Sequence, residues 1–170
     1  MIVPPNKPES LPMPEDVGTA RQLWWGIAGL GVVYTGASVA TMFGRRGELS
    51  QQFLDEMHKT DPNITAGTVD VLILAAFALT AVVGLALCAV TVLFAQQLGR
   101  GKSWARTLLT VAAVWLALGA VTTMFNISAV TGAAAMISGG TAIVQGVLAT
   151  GAAYLTFRPD STRYFQLNKR

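Results

Sequence analysis

The stretch VLILAAFALTAVVGLALCAVTVLFA, residues 71–95, runs without one charged side chain. At about 1.5 Å of rise per residue, a helix of this length crosses the roughly 30 Å hydrocarbon core of a bilayer. A helix at a protein–water boundary keeps one polar face. Here Thr80 and Thr91 are the only hydroxyl-bearing residues, so no such face exists. In lipid every backbone N–H and C=O must be satisfied within the segment or by barrel closure, so this run is a transmembrane helix and not an open strand.

Three further runs of the same character flank it. Residues 23–43 carry no charge and begin with Leu23, Trp24 and Trp25. Residues 108–125 are introduced by Trp104 and Arg106, so that this span begins at about residue 106. Residues 132–157 are rich in glycine and alanine and are stopped by Arg158-Pro159. The expected fold is all-α, a four-helix transmembrane bundle with spans at about 23–43, 71–95, 106–125 and 132–157. Residues 21–158 form the membrane domain. Residues 1–20 are expected as a disordered cytoplasmic tail, because Pro4, Pro5, Pro8, Pro12 and Pro14 remove backbone donors and little else there can pack. Residues 159–170 are expected as a basic cytoplasmic tail, in which Asp160 and Ser161 after Pro159 suit a turn or the cap of a short helix and Tyr164 and Phe165 fold back onto the headgroups. A cleaved signal peptide is not expected, since the preceding tail is long, proline-rich and partly acidic.

The composition agrees. Only 12% of the residues are charged, against about 25% in soluble domains. A net charge of +3, with the basic residues beside apolar spans, argues against a nucleic-acid partner and for anionic lipid headgroups. Counting Lys and Arg by side gives nine for the two tails with the 98–106 connection, and three for the 44–69 connection with residues 126–131. The positive-inside rule then places both termini in the cytoplasm of a multi-pass protein. Two N-x-Ser/Thr tripeptides, at Asn63 and Asn126, fall on the outer side and are expected to stay unmodified.

The 44–69 connection is the one long polar segment. Residues 48–59 read as a short amphipathic helix with an apolar edge of Leu49, Phe53 and Met57, lying on the bilayer or docking a partner. Asp61-Pro62-Asn63 ends it. Within the spans the informative pattern is one of small residues. Ala76, Thr80, Gly84 and Cys88 recur every fourth position, as do Ser138, Ala142, Gly146 and Thr150. Lipid gives no hydrophobic drive between helices, so close approach through small residues has to hold them together. These eight positions are the expected helix-packing interface. Arg21, Trp24, Trp25, Trp104, Arg106 and Arg158 are expected as interface anchors, the rings at headgroup level and the cations reaching phosphates.

No catalytic, cofactor or metal constellation stands out. His58 is the only histidine, Cys88 the only cysteine, and no glycine-rich loop follows a strand. Asp70 lies at the mouth of the second span and is expected to cap it or to pair with Arg45 or Arg46. Gln145, Tyr34, Trp115 and Tyr154 are polar handles inside the spans, and together would line a cavity for a lipid or small molecule.

Three motifs carry a likeness. Gly101-Lys102-Ser103-Trp104-Ala105-Arg106 opens the third span. Arg158-Pro159-Asp160-Ser161, followed by Tyr164-Phe165, ends the fourth. Ala20-Arg21-Gln22-Leu23-Trp24-Trp25 follows the proline-rich tail. Together they resemble a loose group of small four-helix membrane proteins of bacteria, especially actinobacteria, including mycobacteria. The resemblance implies a bundle in the plasma (inner) membrane and transfers no catalytic residue. It implies a non-enzymatic accessory subunit of a larger envelope complex, such as a lipid transporter. The partners expected are the bilayer, other membrane proteins and a bound lipid. The alternative is a lipid- or small-molecule-binding module or carrier.

Overall fold

The run that decides the fold lies inside a longer helix. In the computed structural model, which describes residues 12–126 and 132–167, six helices follow in order. They are α1 (Glu15–Gly44), α2 (Arg46–His58), α3 (Ala66–Gly99), α4 (Ser103–Phe125), α5 (Ala133–Phe157) and α6 (Pro159–Leu167). No strand occurs among the described residues, and α1, α3, α4 and α5 are each long and apolar enough to cross a membrane. The protein is an all-α, multi-pass integral membrane protein.

The spans form a ring. α1 packs on α3 and α5, and α4 packs on α5. The fourth side, α3 against α4, has the least contact, although a three-residue turn joins these two helices. That turn is a Schellman stop. Gly101 takes φ 74°, its N–H donates to Leu98 O, and Lys102 N–H donates to Gln97 O. Next to it Phe94 meets Trp104 edge-on at 5.4 Å.

Two boundaries differ from the sequence reading. Residues 15–20, expected in the tail, are the first turns of α1. Val17 and Gly18 donate to Pro14 O, and Glu15 and Asp16 complement the positive end of the helix. Val17 and Ala20 are fully buried in line with Trp24 and Ile27, so this turn has a partner to pack against and continues the helix. The prolines at 4, 5 and 8 lie outside the described residues.

Residues 159–167 are the second difference. They form α6, which closes the end of the bundle carrying the α3–α4 turn. Arg158 is extended, as a residue before proline is driven to be, and Pro159 opens the new helix at the position where its missing N–H costs nothing. Ser161, Tyr164 and Phe165 turn inward and join the core of Trp24, Leu98 and Leu109. Ser161 Oγ donates to Leu155 O at 2.8 Å, and Tyr164 Oη donates to Gly99 O at 3.0 Å.

At the other end α2 folds back over the start of α3. Leu49, Leu54 and Met57 pack on Val69, Ile73 and Phe77. Thr65 caps α3 by accepting from Thr68 N–H. Asp70 therefore does not cap; it accepts from Ser50 Oγ at 2.9 Å and pairs with Arg46 at 3.5 Å. His58 Nε2 contacts Ile64 O at 2.9 Å and helps fold the connection.

Candidate functional site

The small residues divide the ring into tight sides and an open one. A Cβ added to Gly84 would sit 2.5 Å from Thr35 Oγ1, and one added to Gly31 would sit 2.6 Å from Cys88 Sγ. Gly84 and Cys88 thus let α3 close on α1. A Cβ on Gly146 would sit 2.5 Å from Ala120 Cβ and 3.0 Å from Leu116 O, so α5 closes on α4 there. The other stripe positions behave differently. Ala142 lines a cavity, Thr150 lines a shallow groove against α4, and the Ser138 hydroxyl donates to Ala135 O. Ala76 and Thr80 line an apolar groove beneath α2, and Thr80 also lines a groove between α1 and α3 with Tyr34, Thr35 and Ser38.

Between the tight sides the four helices enclose a cavity of about 370 Å³. α1 contributes Ile27, Gly31, Tyr34 and Thr35; α3 contributes Gly84, Leu87, Cys88 and Thr91; α4 contributes Trp115, Gly119 and Thr123; α5 contributes Ala142 and Gln145. Its open side is the loosely packed α3–α4 face. Leu87 on α3 and Trp115 on α4, both largely exposed, line it from either side. At depth sits Gln145, 7% exposed, whose Nε2 donates to Ile27 O across the α1–α5 interface at 2.9 Å. Three of the four polar residues expected around a cavity therefore converge: Tyr34, Trp115 and Gln145. Tyr154 does not. It is 70% exposed, two and a half turns beyond Gln145 on α5, which turns it off that face.

Neither a protein-family model, nor a curated protein, nor a solved structure matches the chain.

The expected anchors separate into two kinds. Trp25 and Trp104 are half exposed at the α3–α4 turn end and suit a headgroup boundary. Trp24 does not: it is 1% exposed and belongs to the core, its indole N–H without a hydrogen-bond partner among the described residues. The helical period explains the difference. Trp24 shares a face with Val17, Ala20 and Ile27, and its neighbour is turned about 100° away. Arg106 is also drawn inward. Its guanidinium stacks over Phe157 at 4.2 Å and faces Phe165 at 5.5 Å, because α6 brings aromatic faces to it. Arg158 pairs with Asp16 at 2.9 Å, tying the start of α1 to the end of α5. Arg21 lies along Gly99, where a Cβ would come within 3.0 Å of its Cδ.

A second concave region lies outside the ring. Leu49, Phe53 and Met57 of α2 line an apolar groove of about 570 Å³ with Met42, Ile73 and Phe77. Leu49 and Met57 are half-buried against α3, whereas Phe53 is 54% exposed at the rim. The apolar edge of α2 is thus largely occupied within the chain, and Phe53 alone of the three projects outward.

The residues that the sequence reading did not single out are Gly31, Thr35 as a packing partner, and Asp16. Gly31 and Thr35 continue a four-residue spacing from Ile27, and that spacing was their signal.

Proposed function

We propose that this protein is a non-enzymatic bacterial plasma-membrane module that holds an amphiphile within its four-helix bundle, with both termini cytoplasmic. One observation carries the reading: Tyr34, Trp115 and Gln145 converge on a single cavity whose open side faces the lipid between α3 and α4. Ligand pockets are concave, mostly apolar and furnished with a few polar groups, and volumes of about 300–1,000 Å³ are usual. A cavity of about 370 Å³ suits the polar end of a lipid, with its chain left in the bilayer. Native mass spectrometry after gentle extraction tests this. A lone chain carrying lipid mass is expected; a chain that never retains lipid under any mild condition overturns it.

A second reading is an accessory subunit of a larger envelope complex, such as a lipid transporter. Exposed Phe53 beside the α2–α3 groove favours it, as does the likeness to small bacterial four-helix proteins. The same spectra distinguish the two, since co-purifying protein supports the subunit role.

A further inference from the structure

The three threonines that line the cavity have already given their protons away. Thr35, Thr91 and Thr123 donate to the carbonyls of Gly31, Leu87 and Gly119, each at 2.8 Å. Each hydroxyl is left with acceptor capacity only. Gln145 is more telling. The bond to Ile27 O can come only from its NH₂, which fixes the orientation of the amide. Its Oε1 makes no hydrogen bond among the described residues and is not sealed from the cavity that the residue lines. A side chain more than nine-tenths buried thus presents an unpartnered carbonyl oxygen at mid-span. An acceptor held in hydrocarbon without a donor is costly, so a ligand that supplies one is favoured.

No Lys, Arg, Asp or Glu lines the cavity. A phosphate or carboxylate has no proton to offer Gln145 Oε1 and finds no cation in the lining; neutral donors, the Tyr34 hydroxyl, the Trp115 indole N–H and the second N–H of Gln145, are what would meet its charge. An ammonium brings donors, but no acid neutralises its charge, and an uncompensated charge within a membrane is expensive.

We propose that the cavity selects a neutral lipid alcohol, of which diacylglycerol is the simplest example. The hydroxyl donates to Gln145 Oε1, and the chains leave between Leu87 and Trp115 into the bilayer. This rests on the amphiphile-binding reading above and specifies its ligand class.

The test uses the full chain in phosphatidylcholine nanodiscs, with native mass spectrometry of retained lipid. Three probes compete: dioleoylglycerol, its acetylated derivative, which keeps the chains but has no donor, and dioleoylphosphatidylglycerol. Dioleoylglycerol is expected to be retained about tenfold over each of the others, the worth of one buried hydrogen bond. Gln145→Leu is expected to abolish that preference. Should Gln145→Leu fail to fold, Gly119→Leu decides. A Cβ there meets nothing within 4 Å, so bulk can be added at the cavity's lining without a clash at the backbone, and retention of dioleoylglycerol should fall at least tenfold. Equal retention of the acetylated lipid, preference for the phosphatidylglycerol, or a hydroxyl preference that survives Gln145→Leu overturns the ligand class and leaves amphiphile binding standing. Absence of any retained lipid, or retention unchanged by Gly119→Leu, overturns both.

Discussion

Glycine at two positions decides whether the ring closes. At Gly84 and Gly146 the space for a Cβ is already held by Thr35 and Ala120, so any larger residue forces backbones apart. Gly36, the residue after Thr35 on α1, has open space where its Cβ would lie and serves as the control. Gly84→Val and Gly146→Leu are each expected to destabilise by about 1–3 kcal/mol, the ordinary cost of overpacking, while Gly36→Val costs much less. Thermal unfolding in detergent checks this, and equal losses at all three sites would show that the seams are not tight. Leu148→Ala, half-buried on α5, should cost less than Gly146→Leu in the same assay. The stripes were legible in the sequence because small residues at every fourth position stand out against leucine and valine. What the spacing did not disclose is which helix each stripe meets, since Ala76 shares a face with Gly84 yet lies beneath α2, and Thr80 lines grooves on both the α2 and the α1 side. The two tryptophans teach the same lesson. Trp24 and Trp25 are chemically identical at a span's edge, and only the burial of Val17 and Ala20 on one side assigns one to the core and the other to the boundary.

At the scale of elements, the four spans were legible because exclusion from water needs only length and the absence of charge. The terminal helix was legible only as a cap at Asp160 and Ser161; its burial was not, because Arg158-Pro159 reads as a stop and the nine residues of α6 are mostly polar. Its signal was the spacing of Ser161, Tyr164 and Phe165, too short a pattern to outweigh the charge around it. α6 works as a structural plug. Phe165→Ala is expected to cost about 3 kcal/mol, since it empties a buried ring site and removes a face from Arg106. Tyr164→Phe is expected to cost about 1 kcal/mol, the bond to Gly99 O alone. If truncation after residue 158 leaves the melting temperature unchanged, the plug contributes nothing to stability. α2 divides in the opposite manner. Met57→Ser should lower stability because Met57 packs on Val69 and Ile73, whereas Phe53→Ser should not, because its ring is mostly exposed. Loss of a co-purifying protein in Phe53→Ser alone would support the subunit reading.

For the whole molecule, the ring has three tight sides and one loose one. The start of α1, the α3–α4 turn and α6 share one end; α2 occupies the other. With Cys88 replaced by Ala, a cysteine at Asn63 is expected to react with an impermeant thiol reagent in intact cells, and one at Arg100 only after lysis. Arg100 is the better inner position because neighbouring Gly101 has a positive φ that another residue would strain. The reverse labelling would invert the orientation proposed from loop charge. The cavity on the loose side is tested most directly by photo-crosslinking in nanodiscs with a diacylglycerol bearing a diazirine on its chain, followed by peptide mapping. Enrichment at Leu87, Trp115 and Gly119, lost in Gly119→Leu, is expected. Labelling spread evenly over outward residues such as Val82, Val111 and Val147, and unchanged by Gly119→Leu, would contradict a binding cavity between α3 and α4.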